Sequence, residues 1–304
     1  MRPPTSAPRA FRDLMARSRV PSSAARRSLE VMGGVSQLDP LGLTRYEMSV
    51  KFKAGRALPT GRFLNMDADG YSCRDGSLFL ERLKGCCGIA RAYGADTEAL
   101  RLAMGGLAET PVDLYFGSEI DARSSVFGFW LIWGGVDRKG RVRFCPHDYP
   151  AAAARCLAKL GCARPRRRPE RMLNLGFDLL GDRLVYKCYY LVDAGTRPGP
   201  ALRRLRGAVE RRFGGFEHFL FFSEMREPGG AILKEKLFIE FREDVLCGDE
   251  AALGRACAAI AAVLGREADA SPMEGLLRSK RLRLSLVSFE PDGAVTAYLR
   301  ALPR

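Results

Sequence analysis

Histidine is almost absent from this sequence, with only His147 and His218 in 304 residues. The nine cysteines are odd in number and form no Cys-x-x-Cys pair. A zinc site and a disulfide framework are therefore not expected, and the thiols read as reduced. No apolar run is long enough to cross a bilayer: the longest uncharged stretch, Ser124 to Val136, falls well short of the roughly 20 residues required. The residues from Met1 to Ala10 hold prolines and arginines but no apolar core, so no signal peptide is readable. These absences lead to the expectation of a cytoplasmic protein with no membrane partner.

What is present is apolar material and positive charge. With 47% hydrophobic and 28% charged residues the chain can bury a large core, which excludes an intrinsically disordered protein. The 49 Lys and Arg against 35 Asp and Glu leave a formal net charge of +14. Such an excess draws anions, so nucleic acid, anionic lipid and phosphorylated small molecules all enter as partner classes.

A unit of two strands followed by a helix repeats along the chain. Alternation marks Arg45 to Lys53 as a strand, with Gly61 to Met66 as its partner across a loop holding Gly55 and Pro59. Helical spacing follows from Leu78 to Leu107, with a break near Gly94. Strand patterns return at Val112 to Gly117, Val126 to Trp133 and Arg141 to Cys145, and a helix with proline in its first turn runs from Pro150 to Leu160. Beyond the basic, proline-containing linker Arg164 to Arg171 come the strands Leu173 to Leu179 and Arg183 to Val192, then an Arg-rich helix from Ala201 to Arg212. The strands Glu217 to Met225 and Ala231 to Arg242 precede an alanine-rich helix, Glu250 to Leu264, stopped by Gly265. A last pair, Leu282 to Phe289 and Ala294 to Leu299, brackets the turn Pro291-Asp292-Gly293.

Sequential hairpins pair antiparallel, and helices inserted between them must cover one side of the sheet. Closing that sheet removes its edges. The expected fold is α+β, a closed antiparallel barrel of about ten strands ringed by helices. Residues 1–40 are expected to form an Arg-rich helical segment packed on the barrel, and residues 41–304 a single barrel domain.

The strand phases separate two faces. In Arg45 to Lys53, Tyr46, Met48, Val50 and Phe52 oppose Glu47, Ser49 and Lys51. In Leu233 to Arg242, Leu233, Leu237, Ile239 and Phe241 oppose Lys234, Lys236, Phe238 and Glu240. Val142 and Phe144 oppose Arg141 and Arg143, while Val295, Ala297 and Leu299 oppose Thr296, Tyr298 and Arg300. The polar sides are either the solvated face of an open sheet or, if the sheet closes, the lining of one lumen. In the second case Lys51, Arg62, Arg141, Arg143, Lys187, Lys234 and Lys236 converge and require an anion. Lys187-Cys188-Tyr189 and Lys236-Leu237-Phe238 each put a cation and an aromatic ring on one face. Cations suit a diphosphate, and ring faces suit a developing carbocation. Glu47 adds a proton acceptor among them, or else an ion-pair partner for Lys51 or Arg62.

On these residues the chain resembles the ABBA-type aromatic prenyltransferases, and within them the cyanobactin peptide prenyltransferases. The resemblance rests on Glu47-Met48-Ser49-Val50-Lys51, Arg62-Phe63-Leu64, Asp148-Tyr149-Pro150 after Arg141 and Arg143, and Gly176-Phe177-Asp178 leading into Tyr189. It covers the chain from about Leu41 onward, with weak identity between these short segments. It implies a transferase that moves a dimethylallyl or geranyl group from its diphosphate to a nucleophilic side chain of a cyclic or linear ribosomal peptide. By the same resemblance Arg62, Arg141, Arg143, Lys187 and Lys236 hold the diphosphate, and Tyr189, Phe238 and Tyr298 shield the allylic cation. Glu47 orients the acceptor and takes its proton, with Ser49, Lys51, Lys234 and Thr296 as further lumen residues. Mg2+ would enter through the diphosphate rather than through protein ligands. Asp67-Ala68-Asp69 reads as either a magnesium contact or an ordinary turn. The sequence has no Asp-Asp-x-x-Asp motif, which argues against the helical class of prenyl synthases.

Other readings stay open. Within the same fold, the acceptor is tryptophan or another indole. A non-catalytic nucleic-acid-binding protein fits the charge and the linker, although the linker holds no aromatic residue to stack on bases. A barrel that has lost activity is a third. Trp130 and Trp133 read as packing, or one of them as the floor of an acceptor pocket. A monomer or weak homodimer is expected.

Overall fold

Strands that are apolar on one side and polar on the other must bury the apolar side, and here they do so under helices. The computed structural model describes residues 6–37, 45–54, 56–66, 76–92, 97–98, 101–102, 105, 112–120, 125–136, 142–144, 149–165, 167, 172–180, 183–192, 198–242, 250–266, 269–279 and 282–301. Its strands are β1 (Arg45–Lys53), β2 (Arg56–Met66), β3 (Asp113–Ile120), β4 (Ser125–Ile132), β5 (Gly134–Val136), β6 (Val142–Phe144), β7 (Met172–Leu180), β8 (Arg183–Leu191), β9 (His218–Arg226), β10 (Ile232–Phe241), β11 (Leu282–Phe289) and β12 (Ala294–Ala301). Its helices are α1 (Ser6–Arg17), α2 (Ser22–Ser36), α3 (Gly76–Ala92), α4 (Tyr149–Lys159), α5 (Pro200–Phe213), α6 (Glu250–Val263) and α7 (Ala270–Leu277).

The sheet closes. Its order is β1-β12-β11-β10-β9-β8-β7-β4-β3-β2, ten strands with antiparallel neighbours, as the alternation predicts. Closure is made by β1 and β12, which pair Glu47 with Arg300, Ser49 with Tyr298 and Lys51 with Thr296.

The core lies between the outer barrel wall and the helices. Met48, Val50 and Phe52 of β1 are buried there with Phe11, Leu14 and Met15 of α1. Phe11 stacks on Phe63 at 4.7 Å, and Phe63 in turn on Tyr46 at 5.3 Å. In α5, proline in the first turn sets the entry angle, and Leu202, Val209 and Phe213 form the buried stripe while its arginines face away. Positive φ angles at Gly230 (91°) and Gly293 (79°) mark the tight turns before β10 and β12, where a side chain would strain the backbone.

Several expectations need correction. The strand expected at Arg141 to Cys145 is β6, which pairs with β5 in a separate two-stranded sheet and is not a barrel strand. Arg143 therefore sits off the barrel wall, and Arg141 lies outside the described residues, as do Asp67-Ala68-Asp69 and Gly94. The partner of β1 begins at Arg56 rather than Gly61. It tolerates Pro59 because the ladder is interrupted there by a register shift between Val50 and Phe52. Leu233, expected on the apolar face, is 44% exposed, because β10 shifts register between Ile232 and Lys234. The helix α7 had no counterpart in the sequence reading. In the basic linker, Arg167 bonds buried Glu224 of β9 and lies over the Phe222 ring at 5.0 Å. Among the described residues no helix is long and apolar enough to cross a membrane, and the six described cysteines are free thiols.

The docking of α1 on the β1–β2 wall is testable. Phe11→Ala is expected to destabilise the fold by about 3–5 kcal/mol in urea unfolding. A loss below about 1 kcal/mol would contradict the packing of Phe11 on Phe63.

Candidate active site

Closure turns the polar strand faces into one lumen. It contains a cavity of about 110 Å³, several times the roughly 10–15 Å³ that one water needs. Lys51, Arg62, Lys187, Lys234 and Lys236 line it, with hydroxyls from Ser49, Thr60, Ser223 and Thr296. Tyr189, Phe238 and Tyr298 supply the ring surface. Of the residues that the sequence reading assigned to diphosphate, the cavity gathers Arg62, Lys187 and Lys236 and adds Lys51 and Lys234.

One carboxylate organises the lysines. Glu290, just past β11, is 1% exposed and bonds Lys51 at 3.0 Å, Lys236 at 3.1 Å and also Lys234. Burial alone would raise its carboxyl, but the charge of Lys236 and the bonds from Lys234 and Lys51 hold it below the usual value of 4.5. Burial conversely lowers the Lys51 ammonium, against the pull of Glu290. Lys187 pairs with Asp178 on β7, which stands diagonally across the β7–β8 hairpin from it. Arg62 lies over the Trp130 ring at 4.6 Å from its centroid.

Successive inward residues give the lumen an order along its axis. On β10 these are Lys236, Phe238 and Glu240; on β12, Thr296, Tyr298 and Arg300; on β1, in the opposite chain direction, Lys51, Ser49 and Glu47. Charge therefore gives way to rings and then to a second polar group. In the ring layer Phe221 stacks on Phe238 at 4.6 Å, with Tyr189 at 5.7 Å and Tyr298 at 6.2 Å from Phe238. Burial raises the Tyr189 phenol above its ordinary value, so it stays neutral.

Glu47 belongs to the third layer and is not a cavity-lining residue. Its ion-pair partner is Arg300 at 3.2 Å, not the Lys51 or Arg62 that the sequence allowed; Lys51 is taken by Glu290. Arg300 also bonds Glu240 at 3.0 Å, and the Ser285 hydroxyl donates to Glu47 at 3.4 Å. A bulge in β11 between Leu284 and Leu286 aims Ser285 inward. Burial pushes the Glu47 carboxyl above its usual value, and Arg300 opposes this. A carboxyl so poised is a better proton acceptor than a solvated one.

Glu290, Phe221, Ser223 and Met225 were missed. The alternation of β9 contained the last three, since Phe221, Ser223 and Met225 share a face. Glu290 lies beyond the strand and carries no periodic signal.

The lumen's donors do not suit a protein-held Mg2+. Cations and hydroxyls face the cavity, Glu290 and Asp178 are bonded by lysines, and among the described residues no group of three or more His, Cys, Asp or Glu is placed to hold a metal.

No family model matches the chain, and no curated protein matches it in sequence. Solved structures do match. That of 5-dimethylallyltryptophan synthase from Streptomyces coelicolor has a TM-score of 0.62 at 16% identity, covering 97% of this chain and 96% of that one. PriB in a binary complex with product diphosphate has a TM-score of 0.65 at 14% identity, covering 96% and 94%. The NotF prenyltransferase has a TM-score of 0.55 at 10% identity, covering 99% and 96%. These are ABBA-type prenyltransferases, and the chain has their fold, the closed ten-stranded antiparallel barrel ringed by helices.

The depressed Glu290 carboxyl gives a pH test. Its folded-state value lies below the unfolded one, so its ionised form stabilises the fold above the usual carboxylate value, and that contribution is lost as pH falls through the depressed value. Glu290→Gln is therefore expected to be less stable than the wild type at pH 7, with the gap closing as pH drops below about 4.5. Urea unfolding across this range checks it, and a gap of constant size would contradict the assignment.

Proposed function

We propose that this protein transfers an allylic group, dimethylallyl or geranyl, from its diphosphate to an aromatic acceptor. The observation that carries this reading is the order of the lumen: five cations, then a layer of rings, then Glu47 with Arg300. The cations bind the diphosphate and stabilise the charge it gains as the donor's carbon–oxygen bond breaks and the electron pair leaves with it. Tyr189, Phe238 and Tyr298 face the resulting allylic cation and exclude water, which would otherwise capture it. The acceptor carbon attacks the cation, and Glu47 takes the proton released when aromaticity is restored. This scheme is built on the barrel strands and leaves out Arg143, whose strand β6 pairs with β5 in a separate two-stranded sheet.

For the acceptor we propose an indole, free tryptophan or a tryptophan side chain. Support comes from the fold neighbours, which include 5-dimethylallyltryptophan synthase bound to a dimethylallyl donor analogue and Trp, and PriB bound to L-tryptophan and a dimethylallyl thiolodiphosphate. The tryptophan synthase also aligns over 96% of its own length with 97% of this chain. A cyclic or linear ribosomal peptide, the acceptor class implied by the cyanobactin resemblance, would have to present the same ring to the same layer. The cations of this scheme lie inside a closed barrel, where a duplex cannot reach them, which weighs against nucleic-acid binding.

The decisive assay offers dimethylallyl and geranyl diphosphate together with tryptophan, simple indoles, and cyclic and linear peptides. Transfer to tryptophan or indole supports the acceptor assignment, transfer to peptides alone replaces it, and no transfer from either donor overturns the reading. Glu47→Gln is expected to lower kcat/KM by roughly 10²–10⁴-fold, and Arg62→Ala to abolish measurable transfer. Full activity in both variants would remove the site assignment.

A further inference from the structure

Trp130 lies behind the cavity rather than on it, yet three lumen residues converge on its ring. The Arg62 guanidinium sits 4.6 Å and the Lys187 ammonium 5.5 Å from the ring centroid, and Nε1 donates to the Tyr189 hydroxyl at 3.2 Å. These residues come from β2 and β8, while Trp130 stands on β4 between them in the barrel order. One side chain thus bridges the cation layer and the ring layer.

The wall behind Trp130 is made for it. Gly117 and Gly128 are direct cross-strand partners, and Gly176 faces Trp130 across the β4–β7 ladder. A Cβ at Gly128 would stand 2.8 Å from Cη2 of the indole and one at Gly117 3.1 Å from Cζ3, while one at Gly176 would fall inside contact distance of Cδ1 and Nε1. Three glycines on adjacent strands let the indole lie flat against the barrel wall. Glycine weakens strand interiors, so such a patch favours the ring's placement over local strand stability.

We propose that Trp130 is a positioning residue, a flat π plate that holds Arg62 and Lys187 toward the lumen and locks Tyr189 beside them. The proposal rests on the diphosphate reading of the cavity for its functional consequence. The indole face attracts both cations and adds no negative charge to the lumen, a contact that for Lys187 comes on top of its pairing with Asp178.

Two measurements test this. Calorimetric titration with inorganic diphosphate compares the wild type with Trp130→Phe, which keeps a ring face, and Trp130→Leu, which keeps bulk without one. Phe is expected to bind within about twofold of the wild type and Leu roughly tenfold more weakly. Leu binding as tightly as the wild type, or Phe as weakly as Leu, would overturn the proposal. The second measurement uses no ligand. Trp130 and Trp133 are the two tryptophans of the chain, so the spectrum of Trp130→Phe isolates the emission of Trp130 by difference. That emission is expected to shift in Arg62→Leu and in Lys187→Met, and an unchanged spectrum in both overturns the proposal. Should the wild type bind no diphosphate, the transferase reading falls while the emission result still decides the role of Trp130.

Discussion

The pairing of buried Glu290 with Lys51, Lys234 and Lys236 is the interaction on which the charged end of the lumen depends. Placing several ammonium groups in an enclosed space is costly unless an opposite charge is at hand, and one buried carboxylate bonded by three lysines meets that cost only in part. The three lysines come from β1 and β10, and Glu290 from the end of β11, so the cluster exists only because the sheet closes through β12 and β1. Closure and charge are thus one constraint: an opened barrel would scatter the lysines, and a neutral residue at Glu290 would leave them to repel one another. On the proposed function, a diphosphate bound at this end of the lumen would add its negative charges to the one that Glu290 supplies.

The axial order divides the remaining chemistry among layers. Rings separate the lysines from Glu47, so charge loss from a donor and proton loss from an acceptor would occur at opposite sides of an apolar belt. Arg300, shared by Glu47 and Glu240, keeps the far layer from being a bare carboxylate pair. Glu240 and Glu47 hold that guanidinium firmly charged although burial opposes it. Trp133, by contrast with Trp130, is pure packing: it stacks on Tyr149 and donates to the Met172 carbonyl on the outer side of the wall.

Strand phase was the informative part of the sequence. Because side chains alternate across a strand, the residues Glu47, Ser49 and Lys51, then Lys234, Lys236 and Phe238, then Thr296 and Tyr298 could be assigned to one face before their neighbours were known. Partners were the hidden part. Glu47 meets Arg300 across 253 positions and Lys51 meets Glu290 across 239, and no local pattern encodes which strands close a barrel. Short strands misled for a related reason. The pattern of Val142 to Phe144 is indistinguishable from that of a barrel strand, yet its pairing with β5 removes Arg143 from the wall. The glycine patch under Trp130 was invisible because its members stand on three different strands and become one surface only through register.

The central claim is that the lysine end of the lumen holds a diphosphate and the ring layer its allylic chain. A crystal structure with dimethylallyl thiolodiphosphate tests it most directly. The account predicts the diphosphate among Lys51, Arg62, Lys187, Lys234 and Lys236, with the dimethylallyl carbons against Tyr189, Phe238 and Tyr298. A diphosphate bound outside the barrel, or one lying in the lumen against Glu47 and Arg300 with its chain toward the lysines, would contradict it.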